Sequence, residues 1–176
     1  KDENKDESKG ETTGEVVTYA ATIDGKEGTY ETLQAAIDAA ENGETVVLAK
    51  DVTENININK SITLDLKGKT LTGFGDDSVV TITGAETNVT ITSSEKGKIT
   101  GGNNLSNGGG FSIQDATVNL HNLSITENKA IGIGGAGSEC TGGGGIYAKD
   151  ANLTLDNVHV YENTADLEEH EAADGG

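Results

Sequence analysis

Residues 108–130, GGGFSIQDATVNLHNLSITENKA, align without a gap on residues 143–165, GGGIYAKDANLTLDNVHVYENTA. The offset is 35 residues, and 10 of the 23 positions are identical. Apolar positions match as well: Phe111 with Ile146, Val118 with Leu153, Leu120 with Leu155, Leu123 with Val158 and Ile125 with Val160. Ile62-Leu64 and Val89-Ile91 are degenerate versions of the same strand. Self-similarity at a period of roughly 20–50 residues marks stacked units that share one continuous core. Each unit holds about three short alternating runs and no helical pattern, so it is expected to form one circuit of strands. The expected class is all-β, a parallel β-solenoid.

The rest of the chain fits that reading. Residues 16–23 predict a short strand ending at Asp24-Gly25, a turn signal. One helix is expected over 33–41, with Leu33, Ala36, Ile37 and Ala40 on a single stripe at the 3.6-residue period. Thr32 is its N-cap and Asn42-Gly43 its left-handed stop. From Glu44 onward the period is 2: Val47-Leu48, Ile56 with Ile58, Ile62-Leu64-Leu66, Leu71, Val80 with Ile82, and Val89 with Ile91. With no helices between strands, doubly wound folds and TIM barrels are excluded. Asn122 with Asn157, and Asn128 with Asn163, recur at the 35-residue offset where strands should bend. Asparagine tolerates left-handed backbone, and its amide can bond to copies above and below. A structural asparagine ladder is therefore expected.

Charge narrows the partners. Twelve lysines, no arginine and 30 acidic residues leave a net charge of −18, which repels nucleic acid and anionic membrane surfaces. No apolar run reaches the ~18 residues of a membrane-spanning helix, so no membrane insertion is expected. Cys140 is the single cysteine and cannot form an internal disulfide. The absence of methionine suggests a processed piece. The expected organisation is an acidic tether over 1–15, a strand and capping helix over 16–43, β-coils over 44–165, and an acidic loop over 166–176 that begins a truncated further coil.

The stretch 30–73, YETLQAAIDAAENGETVVLAKDVTENININKSITLDLKGKTLTG, resembles the start of right-handed parallel β-helix proteins, the pectate-lyase-like superfold, in which an amphipathic helix caps the first coil. Gly108-Gly109-Gly110-Phe111 with Glu127-Asn128, and Gly143-Gly144-Gly145-Ile146 with Glu162-Asn163, resemble the repeats of polymorphic outer-membrane and adhesin-like bacterial surface proteins. Ile125 and Val160 stand where those relatives carry phenylalanine. The resemblance implies a right-handed coil and a non-catalytic, extracellular or cell-surface bacterial module, adhesin-like or a rigid spacer, tethered by its acidic N-terminus. Its partner would be a host or environmental glycan or glycoprotein. The alternative it leaves open is the N-terminal part of a polysaccharide lyase or glycoside hydrolase, because this superfold hosts both. Open-ended coils also allow end-to-end self-association.

Candidate chemistry is sparse. Lyases of the superfold use an arginine base, and this chain has none. Asp76 and Asp77 are the candidate catalytic pair, without the companion motifs of such hydrolases and in a glycine-rich bend. Tyr147 and Tyr161 are the candidate sugar-binding aromatics. His121 and His159 alternate with apolar neighbours and should face outward; with His170 they give no zinc spacing. No cofactor motif is present, although abundant Asp, Asn and bend carbonyls are compatible with a structural calcium ion. Cys140 has no His-Asp partner pattern. The glycine runs lack the lysine and helix of a phosphate-binding loop and are expected to permit tight turns. Loops over 101–109, 131–142 and 166–174 should protrude on one side, where recognition is expected.

Overall fold

The computed structural model describes residues 17–134 and 142–169. The described part opens with strand β1 (Ala21–Ile23), which begins later than the strand expected over 16–23, with residues 17–20 outside it, and helix α1 (Leu33–Ala39). Thr32 caps the helix as expected, its Oγ1 accepting from the Ala35 N–H at 3.2 Å. The end differs. Ala40 is already extended at φ −70° and ψ 142°, so the helix stops before Asn42-Gly43. Gly43, at φ +89°, instead makes the turn into the next strand, closed by Glu44 N–H to the Glu41 carbonyl at 3.1 Å.

Three strands follow in a first circuit: β2 (Thr45–Leu48), β3 (Val52–Thr53) and β4 (Ile56–Ile58). A second circuit repeats them as β5 (Thr63–Asp65), β6 (Thr70–Thr72) and β7 (Val80–Thr83). The next has four strands: β8 (Asn88–Thr92), β9 (Gly97–Thr100), β10 (Asn103–Asn104) and β11 (Phe111–Gln114). Another four are β12 (Thr117–His121), β13 (Leu123–Thr126), β14 (Lys129–Gly134) and β15 (Ile146–Lys149). The chain ends its described part with β16 (Asn152–Asp156), β17 (His159–Tyr161) and β18 (Thr164–Glu169).

Each strand pairs in parallel with its counterpart one circuit away, giving sheets β2-β5-β8-β12-β16, β3-β6-β9-β13-β17, β4-β7-β11-β15 and β10-β14-β18. The described residues are thus predominantly β, with parallel sheets and one short helix. Among the strands of the described residues only β1 is antiparallel, on the outer side of β2. The repeat identified in the sequence is the register itself: Phe111 lies opposite Ile146, Val118 opposite Leu153, and Ile125 opposite Val160.

The alternation of period 2 sends one residue in two inward. Val46, Leu64, Ile91, Leu120 and Leu155 stack in one column. Val52, Leu71, Ile99, Ile125 and Val160 form a second. Ile56, Val80, Phe111 and Ile146 form a third. At the N-terminal end, Leu33, Ala36 and Ile37 of α1 are buried and join the same core. There the helix and β1 cover apolar side chains that no preceding circuit reaches. Glu54 fixes the helix in place by accepting from the Leu33 and Gln34 N–H groups at 2.8 and 2.9 Å.

The segments expected to be protruding loops differ most from the structure. Residues 103–104, 129–134 and 164–169 are strands of the fourth sheet, so the later circuits carry four strands rather than three. Strand β18 also runs into the acidic stretch from 166, which the sequence reads as loop. Glycine makes this sheet possible by close approach. A Cβ on Gly109 would overlap the Lys129 carbonyl, and one on Gly144 the Thr164 carbonyl. These glycines serve close backbone contact with the following circuit. The expected tether over 1–15 together with residue 16, the remainder of the 131–142 segment from 135 to 141, and the end of the chain from 170 lie outside the described residues. Cys140 and His170 lie there too.

Candidate functional site

At the corners, backbone and side chains repeat together. Asp115 and Asp150 have φ +54° and +51°, Asn122 and Asn157 +57° and +52°, Glu127 and Glu162 +55° and +54°. Left-handed backbone costs a non-glycine residue about 1–2 kcal/mol, so three such corners per unit must be held by the surrounding ladder. Asn122 and Asn157 fit asparagine's tolerance of this region. Asn157 Nδ2 donates to Asn122 Oδ1 at 2.9 Å, and Asn122 Nδ2 to the Ser93 carbonyl at 2.8 Å.

Asn128 and Asn163 work differently. The preceding glutamate takes the left-handed turn, which leaves the asparagine side chain free to point inward. Asn128 is 1% exposed. Its Nδ2 donates to the Ile99 and Thr126 carbonyls and to Asn163 Oδ1, while its Oδ1 accepts from the Gly102 N–H at 3.0 Å. Asn163 repeats the pattern one circuit on, bonding the Ile125 and Tyr161 carbonyls through Nδ2 and the Asn128 N–H through Oδ1. Each carboxamide ties its own circuit to the backbone of the one before it. Burial makes such bonds matter, because an unpaired group there loses water without replacement.

The candidate chemical residues are dispersed. Asp76 and Asp77 are exposed in the bend after β6. Asp76 Oδ1 accepts from Asn103 Nδ2 at 3.0 Å, and the Asp77 carbonyl accepts from the Asn103 N–H at 3.2 Å, which joins this bend to the start of the fourth sheet. Tyr147 stands on β15 and Tyr161 on β17, in different sheets, so they do not form one platform. His121 and His159 are both exposed. His121 Nδ1 lies 2.8 Å from Asp156 Oδ2 in the strand above. Among the described residues, no three His, Cys, Asp or Glu side chains converge as a metal site, and no helix is long and apolar enough to cross a membrane.

One ion pair stands at the turn after β13. Lys98 Nζ lies 2.8 Å from Glu127 Oε2. That hydrogen bond, with the lysine's charge, holds the Glu127 carboxyl below its ordinary range and raises the Lys98 ammonium. Lys26 and Glu44 form a second pair; Glu44 is lowered first by a backbone hydrogen bond from Glu41, then by Lys26.

A feature the sequence does not announce is Phe74, 59% exposed. Asn55 grips its backbone from the previous circuit: Asn55 Nδ2 donates to the Phe74 carbonyl at 2.7 Å, and the Phe74 N–H donates to Asn55 Oδ1 at 3.0 Å. The ring borders a cleft of about 430 Å³ between the lead-in to α1 and the turn joining β2 to β3. The sequence signal was faint: an aromatic between two glycines, in a segment that reads as a solvated bend.

No family model, curated protein or solved structure matches the chain.

Proposed function

We propose that the chain is a right-handed parallel β-helix and serves as a non-catalytic module of a bacterial cell surface, adhesin-like, displaying a glycan-binding face on a rigid stack. The observation that supports this most directly is the unbroken parallel register of β2 through β17 above an N-terminal end covered by α1 and β1. Parallel circuits about 4.8 Å apart hold outward side chains at fixed intervals over a long surface. That suits display and spacing, with recognition placed on the bends. A charge of −18 keeps such a surface apart from polyanions. Asp76, exposed and bonded to Asn103, is better explained as a bend anchor than as a catalyst.

The test is one incubation of the chain with acidic, neutral and amino-bearing polysaccharides and with mucin, scored for retention and for cleavage. Retention with intact polymers is the expected result. New oligosaccharides would overturn the non-catalytic reading, and failure to retain any polymer would reduce the role to a spacer. Circular dichroism checks the architecture: β-type spectra with cooperative unfolding are expected, whereas a helical spectrum without cooperativity would defeat it.

A further inference from the structure

We infer that the cleft beside Phe74 is a binding site for a glycan carrying protonated amino groups, such as a glucosamine oligomer; the inference rests on the glycan-binding reading above and names its site and ligand class. Its first support is the presentation of the ring. Phenylalanine normally gains by burial, yet Phe74 stands 59% exposed at the edge of the cleft. Asn55 takes both of its backbone hydrogen-bonding groups. Gly73 packs so closely beneath the bend that an added Cβ would sit 2.9 Å from Val79 Cγ2 and 3.1 Å from Gly102 Cα. The ring is therefore carried on fixed backbone, which limits the ordering cost of binding to that of the side chain itself.

The cleft's other walls supply the second support. Glu31, Thr32, Lys50, Asp51, Thr53 and Glu54 line it with Phe74. Glu54 is committed to the helix N–H groups, and Asp51 Oδ1 to the Thr70 N–H at 2.8 Å. Asp51 Oδ2 and the Glu31 carboxylate remain to accept from a ligand. Lys50, the one cation, donates to the Thr18 carbonyl at 2.6 Å. A pyranose ring presents a C–H face to an aromatic ring and hydroxyls to threonine. An ammonium group on that sugar adds attraction to the ring face and to the two carboxylates. The same charges, within a chain of net −18, repel a uronate. Concave shape, one apolar wall and a few placed polar groups are the ordinary makings of a small-ligand site.

Calorimetric titration at mildly acidic pH tests this with three probes: the glucosamine tetramer, its N-acetylated form and a galacturonate tetramer. The glucosamine tetramer is expected to bind at least tenfold more tightly than the acetylated one, with no heat from the uronate. Phe74→Ala should weaken it tenfold or more without altering charge, Phe74→Trp should retain binding, and Glu31→Gln should weaken it severalfold. Binding unchanged in Phe74→Ala would mean that the polyacidic surface alone attracts the cation, and would overturn the site. Equal binding of the two glucosamine forms would overturn the ligand class. If the glucosamine tetramer does not bind, the inference falls. Retention of other glycans by the same chain would then leave the glycan-binding reading standing, and no retention would remove both.

Discussion

The two copies of the repeat, 108–130 and 143–165, have matched strands, matched left-handed corners and matched asparagines, yet they differ in burial. Leu120 is 1% exposed and Ile125 0%, while their register partners Leu155 and Val160 are 46% and 47% exposed. The first copy lies between β8-β9 on one side and β16-β17 on the other. The second has, among the described residues, a neighbour on one side alone. An apolar pattern therefore selects which face turns inward, and the adjacent circuit decides how much water that face loses. Full burial of such a side chain is worth about 1.5–3 kcal/mol, and the outer copy collects only part of it.

The largest effect should separate the matched core positions. Ile125→Ala is expected to cost about 2–5 kcal/mol, against less than about 1 kcal/mol for Val160→Ala, read from urea unfolding. Equal losses would mean that the second copy is as enclosed as the first. A smaller contrast is expected between the asparagines. Asn128→Ala strands the Ile99 carbonyl and the Gly102 N–H, for a cost of about 2–3 kcal/mol. Asn163→Ala should cost about 1 kcal/mol, since its hydrogen bonds are part-buried or exposed where those of Asn128 are largely buried. Hydrogen exchange at the Gly102 N–H would check the cause, accelerating only in the first variant.

The smallest effect is a pH dependence centred on Glu127 of the inner copy. Glu127 meets Lys98, whereas below Glu162 the register places Ser124 in the lysine's position. The Glu127 carboxyl is depressed in the fold from its ordinary value of 4.5. Its stabilisation is therefore complete above that value and lost as pH falls through the lower folded one. Glu127→Gln should flatten the loss of stability between neutral and acidic pH slightly, with the difference shrinking in high salt. Glu162→Gln, with Ser124 rather than a lysine in the register position below it, should change that profile less. A profile altered equally by both variants would contradict the geometry.

The stacking was legible in the sequence because parallel register preserves spacing: residues that match at one offset become neighbours, as Phe111 and Ile146 do. Helix α1 was legible through Leu33, Ala36 and Ile37, but its end was not, since Ala40 leaves the helix although its own propensity favours continuing. The fourth sheet was hidden by composition. Segments such as KAIGIG carry glycine, which is depleted in strands; here pairing with β10 and β18 on either side forms the strand all the same. The exchange of roles between Glu127 and Asn128 was hidden too, because sequence offers asparagine as the natural left-handed residue. Phe74 was missed because its partner, Asn55, lies 19 residues away, and no local pattern connects them.

The register partners also drift apart along the chain, from Thr45 and Thr63 through Thr63 and Thr90 to Thr117 and Asn152. Because hydrogen bonds between circuits run along the stacking direction, tension applied between the two ends of the stack would load them end-on. The stack should then unwind like thread from a spool, one turn per event. Each event would release a length of slack that depends on which turn gave way, with short releases near the helix and long ones at the far end. The lengths along a stretching trace would thus report the order of failure.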